Sequence, residues 1–192
     1  MRIGVLALQG DVREHEYIFA KLDVQTTRVR LPQDLDAVDA LILPGGESTT
    51  LSLLLRSSEL VEPLRKRLAD GMPAFGTCAG MILLATDVCD GRPDQLHLDA
   101  IDISVRRNGY GRQVDSFQAD LDVVGEDEQI PAIFIRAPLV ERTGDDVAVL
   151  ARMSGQPVLC QQGPVTVAAF HPELTGDVRI HAKFVESVRR AV

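Results

Sequence analysis

Met72-Pro-Ala-Phe-Gly-Thr-Cys78-Ala-Gly-Met-Ile-Leu-Leu-Ala85 decides how this chain folds. Its first residues are an apolar run of strand length, and its last, Met81 to Ala85, are a periodic apolar stretch of helical character. Between them a cysteine sits among small residues, Gly76 two before it and Gly80 two after. A buried strand that turns sharply into a helix, with one reactive side chain at the apex, has the form of a nucleophile elbow. Small flanking residues let strand and helix cross closely, and the apex residue is held in a strained conformation. A thiol there also faces a helix N-terminus, whose partial positive charge favours thiolate. Taken alone, GxCxG is equally compatible with a small buried cysteine and packing glycines.

Outward from the elbow, strands and helices alternate. Arg2 to Leu8 is nearly all apolar, as expected of a parallel strand covered on both faces. Gln9-Gly10-Asp11 turns the chain, and Asp11 is placed to N-cap a helix ending near Leu22. Val24 to Leu31 and Ala37 to Leu43 read as further strands, the latter stopped by Pro44-Gly45-Gly46. Ser48 is the expected N-cap of the next helix, and another runs from Glu59 to Ala69. Met72 to Phe75 is the fourth strand. This order predicts an α/β fold: a three-layer, open, mostly parallel sheet with helices on both faces and right-handed crossovers. The second half differs. Leu98 to Val105, Phe117 to Val124, Ala132 to Ile135, Val147 to Ala151, Val158 to Gln162 and Val165 to Phe170 are short strand-like runs separated by turns, which predicts antiparallel additions to the core. A helix over Asp177 to Ala191 closes the chain. Length and the absence of a linker or repeat predict one domain, residues 1–192.

Composition narrows the function. The net charge is −8 and no Lys/Arg-rich run occurs, which disfavours nucleic acid or an anionic membrane as partner. Nothing approaches the roughly 20 apolar residues that span a bilayer, and the start lacks a signal-peptide pattern; the expected location is cytoplasmic. Three cysteines without CxxC spacing argue against a disulfide framework or a zinc site. No metal or cofactor is expected. Cys89 and Cys160 are read as structural.

A nucleophilic cysteine needs a base within hydrogen-bond reach, and the base needs an orienting group. Of four histidines, His171 stands out, because it follows the apolar strand Val165 to Phe170. Functional groups of open α/β sheets gather at the carboxyl ends of strands. In an extended His171-Pro172-Glu173 segment, Glu173 lies on the same side as the imidazole and can accept its second N–H. Cys78, His171 and Glu173 thus form a triad. Acyl chemistry also needs oxyanion donors. The Ala79 N–H is the expected first donor, and Gly46, in the strand-end loop Pro44 to Ser48, the second. Arg136, in Ile135-Arg136-Ala137-Pro138, and Arg107, after the strand ending near Val105, stand at strand ends where a guanidinium can bind a substrate carboxylate; either is equally readable as a solvated arginine. Gln9-Gly10-Asp11 ends the first strand and so belongs to the same rim, though it is equally readable as a plain turn. His15, His97 and His181 lack a strand-end setting and read as surface or helix residues.

These residues together resemble the class I, triad-type glutamine amidotransferases, whose core is flavodoxin-like. Within that class the chain is similar to the glutaminase subunits of two-protein pyridoxal 5′-phosphate synthases. The resemblance rests on Leu8 to His15, Leu43 to Thr50, Phe75 to Gly80, Arg107-Asn108 with Gly111-Arg112-Gln113, Phe134 to Pro138 and Phe170 to Thr175, and so spans nearly the whole chain. It implies hydrolysis of L-glutamine through a glutamyl thioester on Cys78. It implies a glutamine pocket lined by Gly46, Glu47, Ser48, Arg107, Ile135 and Arg136, and a Gln9 that links the oxyanion hole to partner docking. It further implies a (β/α)8 pyridoxal 5′-phosphate synthase subunit as receiver of the ammonia, in a ring of synthase subunits decorated by glutaminases. Two other readings remain open at this point: a stand-alone cysteine amidase or peptidase of similar elbow fold, and a catalytically silent scaffolding subunit. The stretches Val88 to Asp94 and Glu126 to Ile130 match none of these motifs.

Overall fold

The computed structural model describes residues 1–92, 95–107, 109 and 116–191. Asn108 and Gly111-Arg112-Gln113 therefore lie outside the described residues. The first half follows the expected alternation: β1 (Ile3–Leu6), α1 (Val12–Lys21), β2 (Thr26–Val29), α2 (Pro32–Asp36), β3 (Ala40–Leu43), α3 (Ser48–Ser57), α4 (Val61–Ala69), β4 (Ala74–Thr77) and α5 (Ala79–Leu84). The short α2 was not anticipated. Pro32 opens it, in the position where a missing N–H costs nothing. After α5 come β5 (Ala85–Val88), β6 (Ile101–Arg106), β7 (Ser116–Leu121), β8 (Ile130–Ile135), β9 (Leu139–Thr143), β10 (Ala148–Met153), β11 (Gln156–Gln162) and β12 (Val165–Ala168), then a 3₁₀ turn at Pro172–Leu174 and α6 (Arg179–Ala191).

The main sheet has seven strands in the order β10-β11-β12-β4-β3-β1-β2. Five of them, β12-β4-β3-β1-β2, are parallel, and β11 and β10 extend the edge antiparallel. The fold is thus the expected α/β arrangement. Helices cover both faces, as the alternation along β4 shows. Phe75 points to one side, where its ring meets His181 and Phe184 of α6. Gly76 points to the other, against the backbone of α5 at Gly80. Phe19 of α1 reaches the same His181 ring, so α1 and α6 share one layer. β1, β3 and β4 are wholly buried, which explains their unbroken apolar runs.

The expected antiparallel additions are present, with two strands not foreseen. β5 begins at Ala85 directly after α5 and pairs with β6, which pairs in turn with β9. β7 and β8 form a separate hairpin. The helical pattern around Met81 to Ala85 therefore ends one residue early: Ala85 adopts extended backbone and starts β5. β9, Leu-Val-Glu-Arg-Thr, is polar on its exposed positions and carried little strand signal. No helix among the described residues is long and apolar enough to cross a membrane.

Candidate active site

The elbow is built by close backbone approach. Cys78 has φ 49° and ψ −102°, a conformation that L-residues rarely adopt and that costs about 1–3 kcal/mol. Its N–H donates to the Ala168 carbonyl of β12 (2.8 Å), and its carbonyl accepts from Ile82 N–H (3.2 Å), which clamps the strained residue from both sides. A Cβ on Gly76 would lie 2.6 Å from the Gly80 carbonyl carbon, and one on Gly80 would overlap the Leu43 carbonyl of β3. Both glycines are thus required by space. Ala79 begins α5, so its N–H belongs to the group that a helix leaves without an intrahelical acceptor.

His171 follows β12 by three residues. Its N–H donates to the Ile133 carbonyl of β8 (2.8 Å), which fixes the ring's base. Nδ1 stands 2.7 Å from Glu173 Oε1 and 3.2 Å from Asp11 Oδ2. A nitrogen facing two carboxylates carries a proton, which leaves Nε2 as the atom that exchanges a proton with the cysteine. Burial disfavours the imidazolium, but hydrogen bonds with Asp11, Cys78 and Glu173 outweigh it and hold the His171 pKa well above its ordinary value. Burial raises the Glu173 pKa, against the downward pull of the His171 hydrogen bond.

Three expectations about this neighbourhood need correction. Pro172 to Leu174 is a 3₁₀ turn, so Glu173 reaches the ring by curling under it and not through an extended segment. Asp11 occupies the N-cap position of α1 but makes no side-chain cap; its carboxylate is turned to His171 instead. The N-cap of α3 is Glu47, whose Oε1 accepts from Thr49 N–H (3.1 Å) and Oε2 from Thr50 N–H (2.6 Å); Ser48 is the first helical residue.

A cavity of about 290 Å³ opens between the strand ends. Cys78 and His171 face it, together with Gln9, Gly46, Glu47, Ser48, Arg107, Ile135 and Arg136. The structure thus gathers the residues expected from strand ends and from the resemblance at one place. Ala79 and Glu173 lie behind this lining, beside Cys78 and His171 respectively. Gln9 Oε1 accepts from Glu47 N–H (2.9 Å), and a Cβ on Gly46 would come within 2.5 Å of that oxygen. The Arg107 guanidinium reaches Glu47 Oε1 at 3.4 Å and Gln95 Oε1 at 3.3 Å. Arg136 has φ 43°, a second strained residue on the rim, and its side chain is exposed. Partial burial would raise the Glu47 pKa, but the Thr49 and Thr50 donors outweigh it and lower it to about 2.

Sequence reasoning put Asp11 on the rim but missed its contact with His171, and it missed Ile82 in the lining and His15 and His181 behind it. Both histidines lie in helices but are fully buried. Their signal was helical spacing: His15 stands three residues after Val12 and four before Phe19, and His181 lies in the stripe of Ile180, Phe184, Val185 and Val188. Cys160 is buried and Cys89 exposed, and neither lines the cavity.

Comparison with known proteins places this geometry. A profile of the SNO glutamine amidotransferase family matches residues 5–190. The pyridoxal 5′-phosphate synthase subunit PdxT of Mycobacteroides abscessus is 57% identical over 187 residues, covering 97% of both chains. That of Frankia casuarinae is 58% identical over 189 residues, covering 98% of this chain and 95% of its own. A crystal structure of a glutamine amidotransferase superposes with a TM-score of 0.92 at 46% identity, covering 97% of this chain and 98% of that one. PurLQS from Thermotoga maritima, at 18% identity and a TM-score of 0.68 over 99% of this chain and 97% of that one, shares the fold.

Proposed function

The chain belongs to the SNO glutamine amidotransferase family, and from that premise we propose that Cys78, His171 and Glu173 are the groups with which it hydrolyses glutamine and supplies ammonia for pyridoxal 5′-phosphate synthesis. The observation that carries the assignment is one cavity in which an elbow cysteine and a carboxylate-held imidazole converge.

The chemistry follows from the geometry. Cys78 Sγ attacks the side-chain carboxamide carbon of glutamine as its proton passes to His171 Nε2. Charge develops on the carboxamide oxygen, where Ala79 N–H and Gly46 N–H serve as donors. The C–N bond breaks, the imidazolium returns the proton to the departing nitrogen, and ammonia leaves a glutamyl thioester on Cys78. His171 then deprotonates a water that attacks the thioester, releasing glutamate and regenerating the thiol. Glu173 Oε1 on Nδ1 keeps the ring in the tautomer that both half-reactions need.

Arg107, Arg136 and Glu47 suit the α-carboxylate and α-ammonium of the substrate, with Gly46, Ser48 and Ile135 shaping the space between them. Gln9 bonds the Gly46–Glu47 segment to the β1 loop, so movement of that loop on docking would be felt at the oxyanion donor. The proposed synthase partner is a (β/α)8 subunit that receives the ammonia, in a ring of synthase subunits decorated by glutaminases.

Cys78→Ala, assayed as ammonia and glutamate release with a cognate synthase subunit present, is expected to lose activity by about 10³-fold or more while still co-sedimenting with the partner. Substantial residual turnover would refute the nucleophile assignment. Wild-type activity that ignores the synthase would instead mark a stand-alone amidase.

A further inference from the structure

Behind the triad lies a polar cluster that the reaction above does not use. His15 of α1 is fully buried, with Nε2 3.3 Å from Thr77 Oγ1 and 3.7 Å from Glu173 Oε2. Its Nδ1 stands 3.0 Å from Nε2 of His181, which is also fully buried. Thr77 is the residue before the nucleophile, so this one imidazole touches both the elbow strand and the triad carboxylate. Glu173 Oε2 and His181 Nδ1 are buried with no hydrogen-bond partner among the described residues. A buried carboxylate oxygen left without a donor is costly.

The tautomers follow from that cost. Were the His15 proton on Nδ1, it would donate to His181 Nε2, and the His15 Nε2 lone pair would face the Glu173 carboxylate. His181 would then carry its proton on Nδ1, as an orphaned buried donor. With the proton on His15 Nε2, an N–H faces Glu173 Oε2, His181 Nε2–H donates to His15 Nδ1, and only an acceptor is orphaned. The second arrangement removes a repulsion and an unmet donor together. Both rings stay neutral in it: burial and the neighbouring His181 and His171 hold the His15 pKa well below its ordinary value, and burial lowers that of His181 to about 3.

We infer that His15 is a positioning residue for glutamine hydrolysis, its Nε2–H steadying Glu173 Oε2 so that Oε1 stays on His171, with His181 fixing the His15 tautomer. The separation is 3.7 Å, and this role requires it to close to a hydrogen bond around a reacting substrate, as catalytic contacts that are long in the free enzyme commonly do. The inference rests on the triad assignment. The titratable groups facing this centre are His171, Glu173 and Asp11 on the cavity side and His181 with Asp177 on the α6 side. Of these, Glu173 is the group that His15 acts on.

The test uses the complex with the synthase subunit and compares His15→Leu, His15→Gln and His15→Asn. Loss of the N–H makes the Glu173 carboxylate easier to protonate, so the acid limb of kcat/KM moves to higher pH. For His15→Leu a kcat loss of about ten- to a hundred-fold is expected, as for other groups that orient a reactive one, with KM little changed. His15→Gln, whose amide N–H reaches the Nε2 position, should keep the wild-type limb; His15→Asn, whose amide reaches only the Nδ1 position, should shift it. The Gln and Asn pair decides the matter if His15→Leu does not fold. Equal limbs for Gln and Asn, or a His15→Leu enzyme with wild-type kcat and limb, would overturn the inference. An active Cys78→Ala would refute the triad itself and is read separately.

Discussion

Cys78 and Glu47 face the same cavity from the ends of two neighbouring strands, β4 and β3, yet they are held there by different means. The cysteine is 7% exposed, and its position is set by backbone: two clamping hydrogen bonds, a left-handed φ, and two glycines with no room for a Cβ. The glutamate side chain is 43% exposed and is set by charge, through the Thr49 and Thr50 N–H groups and the Arg107 guanidinium. The nucleophile must sit within a fraction of an ångström of its target, which rigid packing supplies. Groups that recognise a charged substrate must exchange partners when it arrives. In the substrate-free cavity Arg107 leans on Glu47 and Gln95, long and weak contacts that an incoming carboxylate can replace.

If that contrast holds, the largest effect comes from filling space at the elbow. Gly80→Ala drives a methyl group into the Leu43 carbonyl, which cannot retreat because β3 is a central strand. Overpacking of this kind costs about 3 kcal/mol, and chemical denaturation is expected to show it together with loss of activity. A variant of wild-type stability would mean that α5 can slide, and the rigid-wall argument would fail.

Gly45→Ala probes the same wall more gently. Its Cβ would lie 2.8 Å from both His171 Nδ1 and Asp11 Oδ2, so the ring must move while the strands stay in place. Displacement of a catalytic group by about 1 Å can cost about 10²-fold. The expected result is a kcat loss near that size in a protein that unfolds like wild type; an unchanged kcat would show that the imidazole tolerates displacement.

On the recognition wall the effect should fall on binding. Glu47→Gln removes the charge proposed to face the substrate ammonium, and hydrogen bonds to charged groups are worth about 1.5–3 kcal/mol. A KM for glutamine raised about ten-fold or more, with kcat little altered, is the expected outcome. A pure kcat defect would place Glu47 in the chemistry and erase the distinction between the walls.

The same division explains what was legible in the residues. The elbow, the parallel core and the convergence of Cys78, His171 and Glu173 could be read because each obeys a local rule: an apolar run, a glycine pair, a histidine at a strand end. Glu173 was placed correctly through a wrong local geometry, because Pro172 opens a 3₁₀ turn where an extended segment was expected. Asp11 and Ser48 were misread as caps: a tertiary contact with His171 draws Asp11 away, while the neighbouring Glu47 takes the cap of α3 from Ser48 by accepting from the Thr49 and Thr50 N–H groups. The β5 and β9 strands were missed because their pairing with β6 joins segments distant along the chain. The Glu47–Arg107 contact likewise joins distant loops, and the resemblance pointed to both residues as pocket lining but not to their pairing.

The smallest effect, and the most direct reading of the charge-held wall, lies in acid stability. In the folded chain Glu47 has a pKa lowered from 4.5 to about 2. Partial burial opposes this, and the Thr50 and Thr49 donors at the start of α3 outweigh it, with the helix N-terminus favouring the anion. A carboxylate whose folded pKa lies below its unfolded value contributes stability that is fully present above the unfolded pKa. That contribution is lost as pH falls through the folded value. Wild type should therefore exceed Glu47→Gln in stability by a constant margin above pH 4.5, and the margin should shrink between pH 4.5 and about 2. The side chain is 43% exposed, so solvent screening keeps the margin small. His171 and Glu173 are common to both proteins, so their contributions cancel in the difference. Urea unfolding of the pair across that window checks the point, and a margin that stays constant down to pH 2 would mean that the glutamine amide caps α3 as well as the carboxylate does.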